Sequence, residues 1–530
     1  MHDHYAKCSA GGSALTERPK TTVFVREATG LVKNVSTLDA IGLNASWMGL
    51  GATIALLPLY TALFPSMSGV NLVYGSIIGF AFVLPQMYIY TVIQRRIPRT
   101  GGDYVWMSRQ VGGFWGSAIG LTGACLNFIA FVAIIILSAV FAIGSVGLAL
   151  GNSSFLGLAL PGNVSGANPL AQFVLGAVIF ALLIVFNIVS PKYAVKTVTV
   201  LALVGMAGIV IAIAVLLGAG QTGVANYVSS LGINGTTYST VAASYTGPTF
   251  AFGSTMLLMP FFFLFMFPWF NMSTIVGSEL KQSARKWSVP MSGITVFVLW
   301  TAVMAVLYYV AGLPFVNSAL SNSTLVFSYG FNFWTLAMGV SNNVALAYVL
   351  GAAWIIWNIL FLMVTIVAVS RYILAMSFDR FLPAKFAYVS PRFNSPVVAH
   401  LLDLVLAIVL VGATAFYYGQ LSALSATAIG PMVFFMFVGI SSVLFAARSK
   451  KESSKLRSAL AVAGTLSAVV FAYVTYLFVV NPSVYGGNTL SYTFLFASFV
   501  GGLVIYTVHR ARLKKEGLDI SLAFKEIPPE

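Results

Sequence analysis

Six long runs without a single Asp, Glu, Lys or Arg organise this sequence. Fifty-five residues separate Asp39 from Arg95, 82 separate Arg109 from Lys192, 82 separate Lys196 from Glu279, and 84 separate Lys286 from Arg371. Two shorter runs, of 44 and 52 residues, follow Asp403 and Arg457. An average soluble domain carries about 25% charged residues, whereas this chain of 530 residues has 8% charged and 59% apolar residues. Such a chain cannot cover a water-facing surface, which argues against a soluble enzyme, a disordered protein or a nucleic-acid binder. One crossing of a bilayer takes about 20 apolar residues, so each run holds a helix out, an uncharged loop and a helix back. The expectation is an all-α polytopic membrane protein. Its twelve spans lie near 38–62, 70–94, 113–149, 170–189, 194–217, 253–278, 289–312, 343–374, 397–418, 421–447, 457–480 and 490–509.

The positions of the charges set an orientation. All 28 Lys and Arg fall in the N-terminal tail, in 95–110, 190–196, 279–288, 371–396 and 448–457, or in the C-terminal tail. Basic residues gather on the cytoplasmic side of membrane proteins, so a cell-membrane protein with both termini cytoplasmic is expected, with tails at 1–37 and 510–530. The +15 net charge then belongs to the inner leaflet rather than to nucleic acid. The opposite loops carry no charged residue, and Asn152, Asn163, Asn234 and Asn322 begin N-x-Ser/Thr sequons there. Either an acidic exterior, where carboxylates would be protonated, or an outer face lying close against the membrane accounts for such loops.

Two spans contain breaks. The first reads Gly42-Leu-Asn-Ala-Ser-Trp-Met-Gly49-Leu-Gly51, and the sixth reads Pro260-Phe-Phe-Phe-Leu-Phe-Met-Phe-Pro268-Trp-Phe-Asn271. A proline inside a helix removes one backbone bond and clashes with the preceding turn. For either helix alone, a glycine-packed kink is the simpler account. Five helices apart and oppositely oriented, the two breaks point instead to an inverted-repeat transporter with its site at the midplane. The halves would be 38–217 and 253–447, with helices 11 and 12 in 448–509. N–H groups released at a half-helix start can hold a carboxylate, and released carbonyls can hold an ammonium or a cation.

Three stretches resemble the amino acid–polyamine–organocation superfamily of transporters. Ile97-Pro98-Arg-Thr-Gly101-Gly102-Asp-Tyr104 is similar to its Pro-x-x-Gly-Gly-x-Tyr loop, and Gly277-Ser-Glu279-Leu-Lys281 with Pro290 to its Glu-x-Lys-Asn-Pro segment. Ser370-Arg371-Tyr-Ile-Leu-Ala-Met376-Ser-Phe-Asp379-Arg-Phe-Leu-Pro383 matches the end of its eighth helix. The resemblance implies the leucine-transporter fold, a five-plus-five inverted repeat with two extra helices, moving small amines or amino acids by alternating access. It implies substrate contacts at Asn44, Ala45, Ser46, Trp47, Gly49 and Gly51, and at Phe267, Pro268, Trp269, Phe270 and Asn271. The chain departs from the family in placing Trp269 where a glycine is usual and Trp47-Met48 within the glycine stretch.

No Lys, Arg, Asp or Glu falls in the middle of a span, so a permanently charged substrate has no obvious side-chain partner. A neutral zwitterionic amino acid fits best; a polyamine, a nucleobase, or a non-transporting nutrient receptor of the same fold are the alternatives. For coupling to sodium, Thr365 and Ser370 are candidates, although such hydroxyls commonly bond back to their own helix. For coupling to protons, Asp403 with His400 is the candidate pair. Lys192 and Lys196 read as snorkelling anchors, and Glu279 and Arg371 as inner-gate residues. Asn127 and Asn358 read as buried amides that bind substrate or, as the simpler account, join helices. The four histidines form no transmembrane pair, so neither a metal, a cofactor nor an enzymatic role is expected.

Overall fold

The computed structural model describes residues 24–25, 30–62, 64, 66–160, 162, 165–418 and 421–528. Most of the expected N-terminal tail, namely 1–23 and 26–29, and the Asn163 sequon lie outside these. Among the described residues, twelve helices are long and apolar enough to cross a bilayer. They are α1 (Thr37–Thr61), α2 (Leu72–Arg96), α3 (Gly113–Ala149), α4 (Pro169–Val189), α5 (Pro191–Ser230) and α6 (Phe252–Trp269). The rest are α7 (Ala284–Ala311), α8 (Val344–Phe378), α9 (Val397–Tyr417), α10 (Leu424–Arg448), α11 (Ser454–Val480) and α12 (Thr489–Lys515). The protein is therefore an all-helical, multi-pass membrane protein.

Helix starts follow local chemistry. Ser36 and Asp39 form a reciprocal capping box on α1. At the opposite end, Asn71, Asn168, Asn343 and Asn488 cap α2, α4, α8 and α12 through their side-chain oxygens. Each satisfies an N–H that the first helical turn leaves without an intrahelical partner. Asn does this without ionising, so these four caps do not depend on pH.

Burial separates the core helices from the lipid-facing ones. The most apolar window is 94% buried in α1 and 89% buried in α3, against 22% in α12 and 28% in α4. α1 packs against α5, α7 and α8, and α3 packs along α8. The charged segments meet at one end of this bundle. There Arg109 pairs with Asp379 at 2.6 Å, Lys196 with Asp39 at 2.6 Å and Arg371 with Glu279 at 2.9 Å. Lys196 is thus an ion-pair partner that ties α5 to α1, not simply a lipid anchor.

Two spans depart from the expected bounds by more than six residues. α5 continues past 217 to Ser230, kinked at Gly220, whose φ of 60° is left-handed. No charge marks that end, so the pattern of charges cannot locate it. α6 stops as a regular span at Trp269 and continues as short irregular turns to Glu279.

A candidate substrate site between two broken helices

α1 is two helices, Thr37–Trp47 and Leu50–Thr61, joined at Met48–Gly49. Gly49 has φ 62°, and a Cβ there would sit 2.8 Å from the Phe361 ring. A Cβ on Gly51 would lie 2.0 Å from the Trp357 indole. Both glycines are required by conformation or by close approach. In α6 the helix Met259–Phe265 ends at Met266 (φ −135°, ψ −82°), followed by one short turn over Phe267–Trp269. Pro268 cannot donate a backbone bond and so cannot continue the α-helical pattern.

The two breaks flank a narrow cavity of about 10 Å³, room for about one water. Its wall is Trp47 from α1, Leu264 and Trp269 from α6, Phe128, Phe131 and Ile135 from α3, and Phe361 and Thr365 from α8. The rings meet edge to face: Trp47 lies 4.7 Å from Phe128 and 5.9 Å from Trp269, centroid to centroid. None of these side chains is charged. Trp269 is anchored by its indole N–H, which donates to the Leu264 carbonyl at 2.9 Å.

The expected substrate residues divide into two groups. Trp47 and Trp269 line the cavity. Asn44 is instead a strut: its Nδ2 donates to Ser273 Oγ and Ser292 Oγ, and its Oδ1 accepts from the Ser273 N–H at 2.8 Å. Phe267 stacks on Phe262, Phe270 packs on Tyr90, and the Pro268 carbonyl accepts from Gln86. The Gly51 carbonyl accepts from Trp334 Nε1 at 2.8 Å, so a helix in the loop before α8 occupies it. Ala45 is fully buried. The Ser46 hydroxyl and the Asn127 side-chain amide, on α3 one residue before Phe128, are buried without a hydrogen-bond partner. Neither lines the cavity, although each is next in sequence to a ring that does, Trp47 and Phe128. Asn358 does join helices, accepting from Ser138 of α3 at 2.8 Å.

Asn271 sits beneath the cavity. Its Oδ1 accepts from Trp47 Nε1 at 2.9 Å, and its Nδ2 donates to Asp103 at 2.8 Å. Asp103 also accepts from Tyr372 Oη at 2.9 Å and Tyr90 Oη at 3.2 Å. It is fully buried. Burial pushes its pKa above the ordinary carboxylate value, opposed by hydrogen bonds from Asn271, Tyr372, the Tyr104 N–H and Tyr90. The sequence alone singles out neither Asp103, which sits within the Gly101-Gly102-Asp-Tyr104 stretch, nor the α3 wall. The spacing of Phe128, Phe131 and Ile135, one face of a helix, was the available signal.

The coupling and gate candidates also find places. Thr365 Oγ1 donates to the Phe361 carbonyl at 2.7 Å and Ser370 Oγ to the Val367 carbonyl at 2.8 Å, each within its own helix. Asp403 and His400 are buried one turn apart on the inward face of α9, and none of their four polar side-chain atoms has a partner. Arg371 and Glu279 form a buried two-pronged pair at 2.9 and 3.0 Å, at the charged end. A separate cavity of about 430 Å³ lies toward the other end, with the hydroxyls of Ser145, Tyr227, Ser230, Ser328, Tyr329 and Thr335 in its wall. It is the roomier of the two but touches neither break.

Paired interruptions around a buried cavity are the arrangement of secondary transporters, and the family comparison agrees. The profile described as "Amino acid permease" matches residues 36–505. The chain belongs to the amino acid permease family. The matched region takes in all of the site just described. The permease is also similar to "Uncharacterized protein 399" of Sulfolobus islandicus rod-shaped virus 1, at 22% identity over 383 residues. That match covers 71% of the permease and 74% of the viral protein.

Proposed function

We propose that this permease is a secondary active transporter that carries a small neutral amino acid across the cell membrane by alternating access, together with a proton. The observation behind this reading is the uncharged aromatic cavity flanked by two helix breaks. Rings can pack against an apolar side chain, while a zwitterion's charged ends need oriented backbone dipoles and small polar groups. The released backbone of α1 and α6 supplies these, with the unpartnered Ser46 hydroxyl and Asn127 amide one residue along from the Trp47 and Phe128 rings. The cavity has no carboxylate for a polyamine and no planar slot for a nucleobase. At about 10 Å³ it is shut, so Trp47 and Trp269 must swing aside to admit cargo. In this reading, the halves 38–217 and 253–447 rock about the breaks. The charged end faces the cytoplasm, and Glu279 with Arg371 seals it.

Sodium has weak support, because the Thr365 and Ser370 hydroxyls are committed to their own helix. A proton suits Asp403 and His400 better, since neither has a bonded partner. The test is uptake of labelled neutral amino acids by purified protein in liposomes, with and without an inward proton gradient. Accumulation that collapses with the gradient supports the proposal. Binding without turnover would favour a nutrient receptor.

A further inference from the structure

Asp103 stands apart from the other buried carboxylates near the charged end. Asp39, Asp379 and Glu279 each have a cationic partner, whereas every hydrogen bond to Asp103 comes from a neutral group. Those donors sit on different structural parts. Tyr90 belongs to α2, Tyr372 to α8, and Asn271 to the irregular segment of α6. Through Asn271 the chain of bonds continues to Trp47, the α1 ring in the cavity wall. Trp47 Nε1 can only donate, so Asn271 turns its oxygen toward Trp47 and its NH₂ toward Asp103.

We infer that Asp103 is a positioning residue that clamps Trp47 and the α6 break to α2 and α8, and that loss of its proton loosens the charged end. The sign follows from burial. Closing that end takes the carboxyl out of water, which favours the neutral form. The closed state therefore binds the proton more tightly than a hydrated open state, and acid favours closure. When the end opens, the carboxylic O–H gives its proton to water, and Tyr90, Tyr372 and Asn271 can leave a hydrated carboxylate. A proton held while closed and released on opening toward the cytoplasm is the order that a symporter needs; in this respect the inference rests on the alternating-access proposal.

Other charged and titratable groups near Asp103 are engaged or distant. Helix Gly102–Val111, which carries Asp103, packs against α2, α8, α10, the start of α3 and the segment Met272–Ile275. Besides Tyr90 and Tyr372, these parts carry Tyr104, Arg109 paired with Asp379, Arg371 paired with Glu279, and Arg448 bonded to the Gln110 carbonyl. Arg95 and Arg96 lie in the last turn of α2, at the same charged end; Arg95 is exposed and Arg96 pairs with Glu452. Cys125 lies on α3, and His400 and Asp403 on α9, behind α3 and α8.

The experiment needs no substrate. Nitroxides are placed at Trp287→Cys and Tyr388→Cys, positions 52% and 51% exposed at the charged end, in a chain also carrying Cys8→Ser and Cys125→Ala. Spin–spin distances are measured in lipid from about pH 8 down to about pH 4, a range that reaches the ordinary carboxylate value from well above it. The short-distance population should grow several-fold toward acid, and in Asp103→Asn it should stay constant across the range. Tyr372→Phe keeps the carboxylate but removes a donor to its charged form, so the midpoint should move up by about one pH unit. A merely structural tyrosine would weaken closure without moving the midpoint. If Asp103→Asn fails to fold, Tyr372→Phe decides alone. Distances in the parent chain that ignore pH, or an unchanged response in Asp103→Asn or Tyr372→Phe, would overturn the inference. Failed uptake in liposomes with an intact pH response would instead count against the transport proposal.

Discussion

Trp269 should set the size of the substrate side chain. Its ring lies 5.4 Å from Phe128 and 5.3 Å from Phe435 by centroid, in a cavity of only about 10 Å³. Trp269→Ala removes the largest movable part of that wall. Left empty, such a void costs about 3–5 kcal/mol of stability, so the ligand-free variant should melt earlier than the parent. A larger apolar side chain can fill the space. At about 0.8 kcal/mol per buried methylene, the three extra carbons of leucine over alanine contribute about 2.4 kcal/mol, or about fiftyfold in affinity. Competition against a labelled neutral amino acid in liposomes measures the ratio of leucine to alanine directly. The expected result is a shift toward leucine of tens-fold, with leucine also restoring part of the lost melting temperature. A folded variant whose ranking of amino acids is unchanged would refute the placement of the substrate side chain against Trp269.

Three further outcomes follow from the same geometry. Trp334→Phe strands the buried Gly51 carbonyl, which should cost about 1–3 kcal/mol, read as earlier thermal unfolding in detergent. Arg371→Met or Glu279→Gln alone leaves one buried charge unpaired, at about 3–5 kcal/mol, while the double variant should cost clearly less; additive losses in melting experiments would show that the two do not act as a pair. Thr365→Val removes a hydroxyl bonded only to its own helix, so sodium should leave uptake unchanged in the parent and in the variant alike, and a sodium response lost in the variant would refute this.

The sequence and the structure agree where a polar or charged residue marks an event. Lys192 and the run before it fix the short turn between α4 and α5, and Pro268 marks the break in α6. Gly49 marks the break in α1 because a left-handed backbone there needs a residue without a Cβ. Agreement fades where the chemistry is uniform. The end of α5 lies in a charge-free run, so only the fold locates the extension beyond Gly220. Phe128, Phe131 and Phe361 look in sequence like any lipid-facing phenylalanine, and only the packing of α3 and α8 against the breaks turns them inward. Asn44 carried the right identity for a substrate ligand, yet Ser273 and Ser292 take up its hydrogen-bonding capacity. Asp103 was hidden for the opposite reason: a charge between two spans reads as solvent-facing until the fold buries it.

The most direct test of the account is an experimental structure of the permease in lipid with a transported neutral amino acid bound. The ligand should lie between Met48–Gly49 and Met266–Trp269, its side chain against Trp269 and Phe128, with the Trp47 and Trp269 rings displaced from their present contact. A ligand seated instead in the hydroxyl-lined cavity of about 430 Å³, with the aromatic box still shut, would contradict it.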